Sequence, residues 1–355
     1  MRLSTALVTA LCSLSFACGS TEPSDDDMNT TDELNGDDEE SFAATDTTDA
    51  ELARATEGQA FDNELTLFAI PAPRLIGLSW KSPGALARRT LINEGLSFSR
   101  AIGHAAVRVQ CAATETREAA HFQGSMVSTG DEFRQMVIKE KAGLGVLFRT
   151  VPGRLEREDE LQPSLDERYR NGRVSYLRMG VSADTCHALL DYVKEYAARG
   201  VEDQYGFVRP LHQEGAGCSA FSMSFLKLAG LMEPEMEDEW AFDVRVPMKV
   251  IGGATNPGND VPVWKLFLLT RGWAKASEPH LRINGWDPTL MYKSIRTRAK
   301  SALRDGSEVV EKRGRALGIV LDHRDVLASP ELRDGSFFHG EPALDDDARF
   351  LTKDD

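Results

Sequence analysis

At 355 residues the chain is long enough to bury a large core, and after its first apolar run it holds no second one long enough for a transmembrane helix. Its formal net charge is −15, but residues 19–58 hold fourteen Asp/Glu against one Arg and so carry −13 of it. The remainder is near neutral, with no basic stripe or interleaved aromatics, which excludes nucleic acid as an expected partner.

Residues 1–17 read as an export signal. Arg2 supplies a charged start, and the apolar run Leu3–Phe16 is too short to span a bilayer. Ala17-Cys18-Gly19-Ser20 resembles the cleavage and lipidation site of bacterial lipoproteins, with Ser15 where that pattern usually has Leu. The resemblance implies that Cys18 becomes a lipidated N-terminus anchoring the protein to a membrane. Gly19 rather than Asp after it implies an outer-membrane lipoprotein of the cell envelope, facing the periplasm or the cell surface. Simple secretion with cleavage nearby is the alternative. Residues 18–60 then form an acidic tether with too little apolar surface to offset its ordering entropy, and disorder is expected.

Globular composition begins near residue 61, with a domain expected over 61–270 and an extension over 271–355. Leu65–Ile70 and Leu75–Trp80 read as strands, and Ser82-Pro83 starts a helix reaching Asn93. Ile102–Cys111 alternates His104, Ala106, Arg108 and Gln110 with Ala105, Val107 and Val109, a strand with one apolar face. Glu118–Val127 alternates likewise, so a hairpin is expected. A turn centred near Ala113–Thr114 would put His104 opposite Gln123, with His121 diagonal to it.

Further on, Asp131–Lys141 reads as a helix, Leu144–Phe148 as a buried strand and Leu155–Asn171 as a charged loop. Val174–Met179 is a strand, and Ser182 caps a helix over Ala183–Arg199. Trp240–Ile251 suggests a strand, Val261–Leu269 a buried run, Pro288–Leu303 an exposed helix, and the end from Pro330 a frayed tail. Helices mixed with antiparallel strands and no βαβ repeat give the class α+β.

Glu214–Leu231 carries the sharpest chemistry. Phe221, Phe225, Leu228 and Ala229 recur at helical spacing, and Gly230 is a stop. Cys218 therefore falls in the first turn, where unpaired N–H groups and the helix dipole favour a thiolate. An inert core cysteine is the competing reading. After processing, the thiols are Cys111, Cys186 and Cys218, and in an oxidising compartment a Cys111–Cys186 pair would leave Cys218 free. No cofactor is expected. Cysteine and histidine spacings match no zinc pattern, so no metal is expected, although His104, His121 and Cys218 could be imagined to converge.

Tyr205 through Leu231 resembles the cysteine box of the NlpC-type papain-like superfamily, in Cys218-Ser219-Ala220-Phe221 and Ala229-Gly230-Leu231. Gly217 stands where that family usually has Asp. Gly103-His104-Ala105-Ala106-Val107 resembles its histidine strand. Histidine before cysteine is the order of the circularly permuted branch, which includes lecithin–retinol acyltransferase-like proteins. The resemblance covers roughly Gly103–Gly253. It implies a papain-like fold with the nucleophile helix packed on an antiparallel sheet, and acyl transfer through a thioester.

On that resemblance Cys218 is the nucleophile and His104 the base. The third group comes from the strand after His104, either Gln123 or His121, and Tyr205 lines the substrate site. His280, after the cysteine, is the rival base. The implied function is a membrane-tethered cysteine hydrolase or acyltransferase acting on a peptide, a peptidoglycan stem peptide or a lipid. The alternative is a non-catalytic lipoprotein that uses the scaffold for binding.

Overall fold

The computed structural model describes residues 48–56, 61–73, 79–95 and 102–339. Along them run α1 (Asp49–Arg54), β1 (Asn63–Ile70), α2 (Pro83–Gly95), β2 (His104–Cys111), β3 (Ala120–Ser128), α3 (Glu132–Ile138) and β4 (Val151–Glu156). There follow α4 (Glu158–Asn171), β5 (Ser175–Gly180), α5 (Ala183–Ala198), β6 (Gln204–Tyr205), α6 (Cys218–Leu228) and α7 (Pro234–Trp240). The last are β7 (Ala241–Pro247), α8 (Val263–Phe267), β8 (His280–Trp286), α9 (Pro288–Asp305), β9 (Val309–Arg313), β10 (Ala316–Asp322) and α10 (Pro330–Asp334). The class is α+β, and no helix of the described residues is long and apolar enough to cross a membrane.

Eight strands form one sheet in the order β6-β4-β3-β2-β1-β5-β10-β9, antiparallel throughout except for β5 against β10. Strand alternation divides its two faces. Leu65, Leu67, Ala105, Val107, Val109, Leu177, Met179, Leu317 and Ile319 pack under α5, α6 and α9 in the main core. On the opposite face Phe68, Ile70, Ala106 and Tyr176 pack with Leu161 and Leu165 of α4. A smaller apolar cluster joins the β7–β8 ribbon to α2, α8 and the 3-10 turn Leu144–Phe148.

Several expectations are corrected here. Leu144–Phe148 is a 3-10 turn rather than a strand. Residues 155–171, expected as a loop, end β4 and form α4, where Leu161 and Leu165 bury one helical turn apart beneath an otherwise charged surface. Helix α9 is not exposed, because Met291, Tyr292, Ile295 and Ala299 line its buried side. Residues 261–269 hold only the short helix α8, and Trp264 and Leu268 stand in solvent.

Part of the expected disordered tether is ordered. Thr48 and Glu51 make a reciprocal capping box at α1, Leu52 and Ala55 pack on the main core, and Thr56 bridges to Glu311. The segment from residue 271, expected as an extension, contributes β9 and β10 to the central sheet. Residues 75–78 of the expected second strand, the export signal, Cys18 and residues 340–355 lie outside the described residues.

Candidate functional site

Cys218 opens α6, and the chain that delivers it is fixed from several sides. The Ala216 N–H donates to Gln204 O at 3.1 Å, and Arg209 makes a buried, two-pronged ion pair with Glu214. Gly215 has φ +98°, and a Cβ there would lie 2.3 Å from Gln204 O, so no other residue fits without moving the backbone. The helix is more deeply buried than its half-apolar pattern suggests: among Cys218–Leu228 only Lys227 is not buried. Small residues make this possible. Ser222 and Ser224 turn their hydroxyls back to the Cys218 and Phe221 carbonyls, and Ser224 also shares a hydrogen bond with the Tyr192 hydroxyl.

His104 opens β2 directly after Gly103, whose φ of +87° and contact of 2.9 Å between a would-be Cβ and Ile70 O leave no room for a side chain. By alternation His104 belongs to the face of Ala106, whereas α6 packs on the face of Val107. The two meet where the sheet divides. The β2–β3 ladder runs only from Val107↔Gly124 to Cys111↔Ala120, and beyond it β3 pairs instead with β4. The Ser125 hydroxyl donates to Ala105 O at 2.5 Å across the parting. Cys218 reaches the first residues of β2 there, where the His104 imidazole and the Ala105 N–H act on its thiol.

Glu156, at the end of β4 and opposite Ser125, completes the cluster. Its Oε2 lies 2.8 Å from His104 Nε2. Cys218, His104 and Glu156 are 5%, 3% and 6% exposed. Burial by itself would push the Cys218 thiol up. The His104 hydrogen bond and charge, the Ala105 N–H and the Ser219 hydroxyl outweigh it and bring the thiol down to about 7. A thiol with this value next to an imidazole oriented by a carboxylate has the parts of an activated nucleophile.

The structure brings Cys218 and His104 together and separates them from the two residues expected beside His104. Gln123 lies opposite Arg108, and its amide donates to Gln162 Oε1 at 2.7 Å. His121 lies opposite Gln110, and its exposed ring pairs with Glu158 at 3.0 Å. The hairpin turn explains the displacement. Thr114 closes it, with its N–H on Arg117 O and its hydroxyl accepting from the Arg117 N–H, so the turn centres near 115–116. A centre two residues later moves the register by four. His121 therefore does not join His104 and Cys218 as a ligand set, and among the described residues no three His, Cys, Asp or Glu cluster as a metal site would require.

Tyr205 pairs opposite Val151 and packs edge-on against Phe133. His280 lies on β8 opposite Pro247, its Nδ1 hydrogen-bonded to Glu278 O. Cys111 and Cys186 form a disulfide joining the far end of β2 to α5, which leaves Cys218 as the free thiol among the described residues. Nothing in the sequence marks Glu156, because residues 154–170 hold nine other charged residues and no neighbour pattern singles out one carboxylate as buried. No family model, characterised protein or solved structure matches the chain.

Proposed function

We propose that Cys218, His104 and Glu156 act as nucleophile, base and orienting carboxylate of an exported, membrane-tethered cysteine hydrolase or acyltransferase. The observation that carries this reading is the unbroken chain from the Cys218 thiol through the His104 imidazole to the Glu156 carboxylate. With Nε2 committed to Glu156, His104 Nδ1 serves the thiol. It takes the thiol proton, and the thiolate adds to the carbonyl carbon of an amide or ester. The Cys218 N–H at the open start of α6 is available to the developing oxyanion. Collapse expels the amine or alcohol, which takes its proton from His104, and leaves a thioester on Cys218. Water then yields the acid, or a second nucleophile takes the acyl group. Throughout, Glu156 holds the ring in one tautomer and stabilises the imidazolium.

A papain-like, circularly permuted arrangement is the fold reading that accords with this. The histidine strand precedes the cysteine helix in the chain, and the helix packs against an antiparallel sheet. The departure at Gly217 has a local reason, since a Cβ there would sit 3.0 Å from Gly206 O. The substrate classes are a peptide, a peptidoglycan stem peptide or a lipid ester. A second reading, a binding scaffold without turnover, draws on the burial of all three groups.

The test is the pH dependence of Cys218 alkylation, read by mass spectrometry in the wild type, His104→Ala and His280→Ala. A low-pH reactive thiol that is lost only in His104→Ala is expected, and trapping of an acyl group on Cys218 with activated esters should follow the same pattern. Ordinary thiol behaviour in all three proteins would leave the binding reading standing.

A further inference from the structure

We propose that the outer surface around α8 is an interfacial site for a bilayer containing anionic phospholipids. Trp264 on α8 and Leu268 just after it are 60% and 71% exposed, while Leu266 between them is buried. The Leu268 N–H donates to Trp264 O, so the two side chains project one helical turn apart on the same side. Single exposed apolar residues are ordinary, but an adjacent Trp and Leu form a patch that calls for a partner.

The charge of the chain segment that carries the patch is a separate observation, with Arg282 in it paired to Asp243. Residues 243–282 hold six Lys/Arg against Asp243, Asp260 and Glu278, a net of +3 within a chain of −15. All six, Arg245, Lys249, Lys265, Arg271, Lys275 and Arg282, are exposed. Lys265 stands next to Trp264, and Arg271 follows Leu268 by three residues. Lysine is depleted from protein–protein interfaces, whereas Trp and Leu beside Lys and Arg are the composition of a headgroup contact. The patch also has firm backing. Leu266 belongs to the smaller core with Ile251 and Val261, and the Arg88 guanidinium donates to the Phe267 and Leu269 carbonyls. The same core includes Phe207, in the loop that leads to Cys218. The proposal stands whether or not Cys218 is a nucleophile.

The experiment is co-sedimentation of the full chain with vesicles, using Cys18→Ser so that no acyl anchor contributes. Vesicles of phosphatidylcholine with phosphatidylglycerol are compared with phosphatidylcholine alone. Binding to the anionic vesicles alone is expected, weakening as salt is raised from about 0.05 to about 0.5 M. Trp264→Ser with Leu268→Ser should lower it by about tenfold or more at unchanged circular dichroism. Lys265→Glu should lower it by about fivefold or more. Equal binding to neutral vesicles, no binding to either, or binding that survives the double substitution would overturn the proposal. So would a dimer in sedimentation velocity that the double substitution abolishes, with no vesicle binding, because it would assign the face to a second copy.

Discussion

Glu64 and Glu156 are carboxylates buried to a similar degree in one sheet, and the groups facing them set them apart. Glu64 accepts from Thr66 at 2.7 Å, from Arg108 at 2.9 Å and from Arg178. Arg178 continues to Glu311 and Glu311 to Arg313, so guanidiniums and carboxylates alternate across the sheet. Burial pushes Glu64 up, but Thr66, Arg178 and Arg108 more than offset it and hold the carboxyl below its ordinary range. Guanidinium does not lose its proton at any pH the fold survives, so this ladder is a permanent tie. Glu156 faces an imidazole, a group that, unlike a guanidinium, can give up its proton and take it back. With burial nearly equal, a fixed cation makes a strut, and a partner able to exchange its proton is what the proposed reaction would need.

That contrast can be broken or sharpened by substitution. The largest effect is expected from Cys218→Ala, which should reduce acyl transfer by about 10⁴-fold or more while thermal unfolding stays within a few degrees of wild type. Glu64→Gln should do the opposite. It leaves guanidinium charge uncompensated in a buried network and should cost roughly 3 kcal/mol in denaturant unfolding, with turnover by the folded fraction unchanged. Because its folded value is depressed, the stability Glu64 contributes is present at neutral pH and lost as pH falls through that value. The wild type should therefore lose stability on acidification more steeply than Glu64→Gln. Glu156→Gln should lower turnover by about 10²-fold with a smaller cost in stability. If Glu156→Gln unfolds the protein while Glu64→Gln impairs turnover, the two roles are reversed.

The pH profile of Cys218 gives the finest discrimination. The thiol is lowered to about 7, so alkylation should reach half its maximal rate near there. His104→Ala should return the midpoint to about 8.5 or above, since burial without the imidazole disfavours the thiolate. Glu156→Gln should shift it only modestly. An unchanged midpoint in His104→Ala would detach the thiol from the imidazole.

Much of this was legible in the residues. Alternation around His104 marked β2, and the Phe221–Phe225–Leu228 spacing marked α6, because each carries regularly spaced apolar residues, although both are buried well beyond that one face. What failed was register and charge. The Thr114 turn is formed by a side-chain hydrogen bond that no hydrophobic pattern encodes, and two residues of error there moved His104 from Gln123 to the level of the parted strands. Helix α4 was hidden because Leu161 and Leu165 are its main apolar contacts and Pro163 lies between them. Glu156 could not be told from its charged neighbours, since its burial depends on β3 leaving β2 for β4, a tertiary event. The partnership of two distant parts of the chain, His104 and Cys218, rested on local signals that each survive such errors.

Strand β5 lies between β1, which precedes it, and β10, which comes from residues 316–322. As the chain is made or threaded from its N-terminus, Cys111 can meet Cys186 long before β10 exists. Until then β5 presents a free edge of unpaired N–H and C=O groups, a template for pairing with other chains. If the chain folds as it emerges, that edge of β5 stays open until residues 316–322 arrive. A holding chaperone that covers an extended strand is most valuable in that interval, and a nonsense mutation upstream of Ala316 would make the interval permanent.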